Sequence, residues 1–169
     1  MGHIHKKIDF TVEVFIVHDN KVLLRKHEKY HKWLSVGGHI ELDEDPNQAA
    51  HREVKEETGL DITLYQRKPH TIQIQEVQEL IPPEFMIRHK TSDTHEHVVL
   101  IYFARTEQTT IQPQQEEEQT ETKWFSREEL EENKYGITKD ILTYAHAALD
   151  ALGKNCGLQK THDLVAKKQ

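Results

Sequence analysis

Near the start of the chain, apolar and polar positions follow one another in a way that predicts a β-hairpin. Phe10 to Val17 is rich in β-branched and aromatic residues and reads as a strand, Asp19-Asn20 as a turn, and Lys21 to Lys26 as the returning strand. His27 to Lys32 is polar and loop-like and leads into Trp33-Leu34-Ser35-Val36. Farther on, Asp61 to Gln66 and Thr71 to Val77 carry strand composition, Pro82-Pro83 breaks the pattern, and Phe85 to His89 gives another short strand. The most apolar run is His97 to Ala104, HVVLIYFA, which predicts a central strand buried on both faces. Ile111 to Thr122 is rich in Gln, Glu and Thr and is expected to be an exposed, mobile loop before Trp124-Phe125 returns to the core.

Between these strands the apolar period changes to that of a helix. Asp45 is an N-cap residue, Pro46 suits the first helical position, and Gln48 completes a capping box, so a helix starts here and ends at Gly59. Ser126 with Glu129 makes a second capping box and opens a short helix toward Asn133. Ile141, Leu142, Ala145, Ala148, Leu149 and Leu152 repeat at helical spacing within a helix from Thr138 to Leu152 that Gly153 stops. Strands mixed with helices give the α/β class, a mixed sheet between helical layers. The 169 residues are expected to form one domain over 1–169, with a core at about 10–152 and a polar tail at 154–169.

The first of these helices carries chemistry. Glu53, Glu56 and Glu57 stand at i, i+3 and i+4, which puts three carboxylates on one helix face, while Ala49, Ala50 and Val54 give an apolar stripe on the other. Like charges at that spacing repel by roughly 0.2–0.5 kcal/mol per pair on an exposed helix, and more in a cleft, so something positive belongs among them. A carboxylate cluster without cysteine suits a hard divalent cation, Mg²⁺ first and Mn²⁺ second. Arg52 can pair with Glu56 one turn on.

Charge and composition narrow the partners. The formal charge is -7, from 22 basic and 29 acidic residues, and no basic stripe offsets it, which argues against a nucleic acid polymer. An acidic protein that handles phosphates has to screen them with metal ions. The single cysteine, Cys156, excludes an internal disulfide and reads as a reduced thiol. With no apolar run of membrane-spanning length and no signal-peptide core in MGHIHKKIDF, the expected location is cytoplasmic, without membrane attachment. The 13 histidines are scattered and read mostly as surface residues. Only His95-Glu96-His97 approaches the clustering a zinc site needs; on a strand His95 and His97 would share a face, for which a supporting or substrate role competes with ordinary exposure.

Gly38 to Leu60, GHIELDEDPNQAAHREVKEETGL, places Gly38, Glu44, Arg52, Glu53, Val54, Glu56, Glu57, Gly59 and Leu60 at the intervals of the Nudix signature, and the chain resembles the Nudix (MutT-like) hydrolases. The resemblance extends from about Phe10 to Leu152, through the opening hairpin, Trp33 and a double glycine ahead of the motif, the later hydrophobic strand, and a Glu-rich loop leading into Trp-Phe-Ser-x-Glu-Glu-Leu. It implies a Nudix-type α/β/α sandwich with a mixed β-sheet. It also implies a pyrophosphohydrolase in which water attacks phosphorus in a nucleoside diphosphate linked to another group. Glu56 and Glu57 would be the principal metal ligands, Glu53 a third ligand or the base, and the carbonyl of Gly37 or Gly38 a further oxygen. Glu44, Arg52 and Gly59 would support the site structurally. A further glutamate from the loop before Trp124 completes the site in several members, and the candidates are Glu116, Glu117, Glu118 and Glu121. Glu118 is favoured by its distance from Trp124 and competes with reading it as an ordinary acidic loop residue.

Many members have proline before the double glycine, where this chain has Ser35-Val36-Gly37-Gly38; the ligand positions are untouched. Gln73 to Val77 offers neither the proline that goes with ADP-ribose nor the tyrosine that goes with diadenosine polyphosphates, which favours a nucleoside triphosphate or another small diphosphate. Specificity is expected from Tyr30, His31, Trp33 and the stretch Ile81 to His97. Trp33 could stack on a base, and Arg25 and Arg88 could meet phosphates, each against the plainer reading of core anchor or surface charge. Two other readings stay open: a nucleotide sensor of the same fold that does not hydrolyse, weakened by the intact carboxylates, and an isopentenyl diphosphate isomerase-like enzyme. Cys156 lies past the last helix, out of place for the catalytic cysteine of that isomerase. Oligomeric state is left open, a homodimer included.

Overall fold

The computed structural model describes residues 8–27, 31–68, 73–74, 76–114 and 121–153. Strands β1 (Ile8–His18) and β2 (Lys21–His27) form the opening hairpin. Asp19 and Asn20 both take positive φ, 44° and 63°, as a two-residue turn between twisted strands requires. Short strand β3 (Lys32–Leu34) adds to the far end of β2, so the polar segment ahead of the signature is paired at its margin.

Helix α1 (Pro46–Thr58) starts and ends as its residues dictate. The Asp45 carboxylate accepts from the backbone amides of Asn47 and Gln48, and the Gln48 side chain accepts from the Asp45 amide, which satisfies donors that a helix N-terminus leaves open. Gly59 closes the helix at φ 74°, where a Cβ would lie 2.3 Å from the carbonyl oxygen of Gln112. Only glycine fits there.

After α1 come β4 (Thr63–Leu64), a separate small hairpin of β5 (Gln73–Ile74) and β6 (Val77–Gln78), then β7 (Phe85–Ser92) and β8 (His95–Arg105). The strand expected over Asp61 to Gln66 contracts to two residues, and that expected over Thr71 to Val77 is the small hairpin, with part of it outside the described residues. Conversely, the strand expected to stop at His89 runs on to Ser92, because β8 continues to offer it a partner, with a bulge between Lys90 and Ser92. β9 (Thr122–Ser126), α2 (Arg127–Glu132) and α3 (Lys139–Leu152) complete the described elements.

The main sheet has seven strands, with β3-β2-β1-β8-β4 in order, β7 also on β8 and β9 also on β2. Its one parallel pair is β1 with β8, in register from Ile8 opposite Glu96 to Val17 opposite Arg105. Alternation along the strands separates two cores. Val12, Val14, Ile16 and Leu23 pack against Ala49, Ala50 and Val54 of α1. Phe15, Val17, Val22, Leu24, Ile101 and Phe103 pack against Ile141, Ala145, Ala148 and Leu149 of α3. Full burial of side chains such as Phe15 or Ile16 contributes roughly 1.5–3 kcal/mol each. The α/β/α sandwich with a mixed sheet is the fold observed. β8 is buried on both faces only from Ile101 to Ala104; of its earlier residues Val99 is buried, while His95 to Val98 and Leu100 are half-buried.

The loop expected from Ile111 is exposed at Gln112 and Gln114, and its first part is tied to the end of α1. The amides of Gln112 and Gln114 donate to the carbonyls of Thr58 and Glu56, each at 2.9 Å, and Ile111 packs against the α1-side core. The last carbonyls of a helix need donors, and this segment supplies them. None of the described helices is long and apolar enough to cross a membrane.

Candidate active site

The stretch before α1 is held to β1 by a short ladder. Val14 N–H donates to Val36 O at 2.7 Å, Val12 N–H to Gly38 O at 2.9 Å, and Ile40 N–H to Phe10 O at 2.9 Å. The close approach explains the double glycine: a Cβ on Gly37, at φ 151°, would sit 2.1 Å from Val12 O. One on Gly38 would sit 2.4 Å from Glu53 Oε1, so the backbone here is bare where a carboxylate of α1 lies against it.

Glu53, Glu56 and Glu57 share one side of α1, and their repulsion is met by two guanidiniums. Arg52 Nε and Nη2 donate to the two oxygens of Glu44 at 2.9 and 2.6 Å. Its Nη1 donates to Glu53 Oε1 at 2.9 Å and Glu56 Oε2 at 3.0 Å, and Nη2 also reaches the His39 carbonyl at 2.9 Å. Glu57, only 7% exposed, pairs through Oε1 with Arg25 of β2 and accepts at Oε2 from the Gly37 amide at 3.0 Å. Bidentate arginine contacts fix carboxylates in place as well as neutralise them.

The charges respond to these surroundings. Burial pushes the Glu53 carboxyl up, with Arg52 opposing it and Glu56 and Glu44 adding to the rise. The Arg52 hydrogen bond holds Glu44 below the usual carboxylate range, and Glu44 in turn holds the Arg52 guanidinium above its ordinary value. The surroundings thus favour the protonated form of Glu53 and the ionised form of Glu44.

The other candidates fall in different places. Arg25 reaches the cluster as the partner of Glu57, a contact its sequence position did not suggest. Trp33 is corrected as a stacking platform: it is 4% exposed, with its ring edge-to-face against Phe125 at 5.0 Å and Tyr135 at 5.8 Å, and has no face left for a base. Arg88 stands on β7 with an exposed side chain, 3.5 Å from Glu96. Glu118, like Glu116, Glu117 and Tyr30, lies outside the described residues, whereas Glu121 pairs with Lys26 at 3.0 Å. His95 and His97 do share a face of β8, and the fold brings Asp9 and His39 to them. A signal for Asp9 exists in retrospect, since a carboxylate at an inward position of an apolar strand needs an unusual partner.

All the donors on the α1 face are oxygens, and the bare Gly38 backbone lies against one of them, so these residues fit a hard divalent cation. A cleft of about 480 Å³ lies beside the signature loop, lined by Phe10, Ile40, Leu42, Met86 and Leu100 among others.

The NUDIX domain profile matches residues 8–145. A NUDIX-family hydrolase from Clostridium perfringens is 38% identical, with a TM-score of 0.73, over 84% of this chain and 96% of that one. A NUDIX hydrolase from Nitrosomonas europaea is 19% identical, with a TM-score of 0.60 over 86% of this chain and 90% of that one. An ADP-ribose pyrophosphatase from Streptococcus suis is 22% identical, with a TM-score of 0.53 over 85% and 90% of the two chains. The latter two share the fold.

Proposed function

The chain belongs to the Nudix hydrolase family, and from that premise we propose that it is a Mg²⁺-dependent pyrophosphohydrolase cleaving a nucleoside triphosphate or a related small diphosphate. The observation that carries the reading is the acidic face of α1, where Glu53, Glu56 and Glu57 are held by Arg52, Arg25 and the Gly37 amide beside a bare glycine backbone.

Glu56 and Glu57 would hold the divalent cation, with Glu53 as a third ligand or as the base; of the two glycine carbonyls expected to add an oxygen, that of Gly38 already accepts from Val12 N–H. When bound, the ion spreads the negative charge of the diphosphate during in-line displacement. The protein's own groups do the rest. Arg52 donates to Glu53 Oε1, which leaves Oε2 to take the proton of the attacking water. Burial raises the proton affinity of that carboxyl, the direction that favours a base. Arg52 and Glu44 keep the face from splaying, and Arg25 orients Glu57. Glu118 is a second candidate base, on sequence grounds alone.

The substrate named for the Streptococcus suis neighbour is ADP-ribose, and at 22% identity the likeness supports the fold and not that choice. The absence of the ADP-ribose and diadenosine signals in Gln73 to Val77 supports a nucleoside triphosphate. Action on a free small molecule rather than a nucleic acid polymer is supported by the acidic charge, and cytoplasmic location without membrane attachment belongs to the same proposal.

The test is phosphate and diphosphate release from a panel of canonical and oxidised nucleoside triphosphates, ADP-ribose, diadenosine polyphosphates, CoA and NADH, with Mg²⁺ and with chelator. Turnover on at least one compound, lost with chelator and reduced by orders of magnitude in Glu56→Gln and Glu57→Gln, is the expected result. Tight binding of one compound with no turnover on any would replace this reading by the sensor.

A further inference from the structure

A second cluster of ligating side chains lies across the sheet from α1. Along β1, Val12, Val14 and Ile16 face α1, while Phe15 and Val17 face α3; alternation places Asp9 on the α3 side. On β8, His97 is the register partner of Asp9 and stands in line with Val99, Ile101 and Phe103, which belong to the α3-side core. His95, two residues earlier, shares that face. His39 arrives from the signature loop through its pairing with Thr11.

The four ligand atoms converge. His97 Nε2 lies 3.0 Å from His95 Nε2, His95 Nε2 lies 3.4 Å from Asp9 Oδ2, and His39 Nε2 lies 3.5 Å from the same oxygen. All four atoms are within 4.8 Å of one another. A tetrahedral ion with ligands at about 2.0–2.2 Å spaces them roughly 3.3–3.6 Å apart, so these separations are close to those of a coordination shell. Among the described residues this is the one group of three or more His, Cys, Asp or Glu whose ligand atoms gather so closely. One further observation points inward: His39 Nε2 is shielded from solvent and makes no hydrogen bond.

We propose that Asp9, His39, His95 and His97 form a second metal site, which takes a zinc-class divalent ion rather than magnesium. The donor set decides the class: three imidazole nitrogens and one carboxylate suit zinc and its late first-row neighbours, whereas magnesium demands oxygens in octahedral array. Its consequence is mechanical. An ion here ties β1, β8 and the loop carrying Gly37 and Gly38 at one corner, and so braces the backbone against which Glu53 lies. The site depends neither on the carboxylates of α1 nor on the reaction they perform.

The experiment uses the full chain with His3→Ala and His5→Ala, so that the two N-terminal histidines contribute nothing, stripped by chelator and titrated with Co²⁺ as a coloured stand-in for Zn²⁺. Strong visible absorption of a four-coordinate ion should grow to one equivalent, vanish on adding Zn²⁺, and survive excess Mg²⁺. It should persist in Glu56→Gln and disappear in His97→Gln. His95→Gln, at the half-buried start of β8, serves as the second variant if His97→Gln loses its near-ultraviolet dichroism. Only the faint absorption of an octahedral ion, or bands that survive both histidine variants, would overturn the proposal. Zn²⁺ should also raise the melting temperature of the unsubstituted site and leave that of His97→Gln where it is.

Discussion

Replacing Arg52 by alanine removes five hydrogen bonds at once, four to carboxylate oxygens of Glu44, Glu53 and Glu56 and one to the His39 carbonyl. Bonds to charged groups contribute about 1.5–3 kcal/mol each, but bonds that share one guanidinium do not add. Truncating one member of a buried ion pair costs roughly 3–5 kcal/mol, and the 28% exposure of Arg52 lets water recover part of that. The expected loss is about 2–4 kcal/mol. For a chain of this size each kcal/mol lowers the melting temperature by about 2–4 °C, so a fall of roughly 4–16 °C should be seen. Urea denaturation with chelator and again with Mg²⁺ measures it. Once Arg52 is gone only Arg25, on Glu57, relieves the repulsion on this face, so Mg²⁺ should stabilise Arg52→Ala more than the parent protein. Arg52→Lys should fall between the two, because an ammonium keeps the charge and loses the fork. A loss below about 0.5 kcal/mol would put this network in the class of exposed surface pairs and refute the reasoning.

Two further outcomes follow from particular residues. Trp33→Ala should cost about 3–5 kcal/mol by the cavity it leaves beside Phe125 and Tyr135, measured by denaturation, whereas Trp33→Phe should leave KM for the preferred substrate unchanged. Glu44 has a folded proton affinity depressed by Arg52, so the stability it contributes is complete above its ordinary value near 4.5 and drains away as pH falls through the lower folded value. Glu44→Gln should therefore be less stable than the parent near neutrality, with the gap closing in acid; a gap constant with pH would contradict the assignment.

What could be read in advance is what depends on near neighbours along the chain. Asp45, Pro46 and Gln48 mark the start of α1 and Gly59 its end because capping is local chemistry, and the strand alternation of Phe10 to Val17 sorts the two cores. What stayed hidden depends on partners distant in sequence. Gln112 and Gln114 look like loop residues until the open carbonyls of Thr58 and Glu56 are beside them. Arg25 looks like a free cation until the hairpin places it on Glu57. Asp9 and His39 join His95 and His97 only through the parallel register of β1 with β8 and the bridge of the signature loop to β1. Trp33 has an aromatic face whose use is decided by Phe125 and Tyr135, far along the chain.

The acidic face of α1 as a divalent-cation site is tested most directly by electron paramagnetic resonance of bound Mn²⁺, with the parent protein compared with Glu56→Gln and Glu57→Gln. Each variant should bind Mn²⁺ at least tenfold more weakly, about 1.4 kcal/mol, with circular dichroism unchanged. Equal affinity in all three proteins would contradict the account.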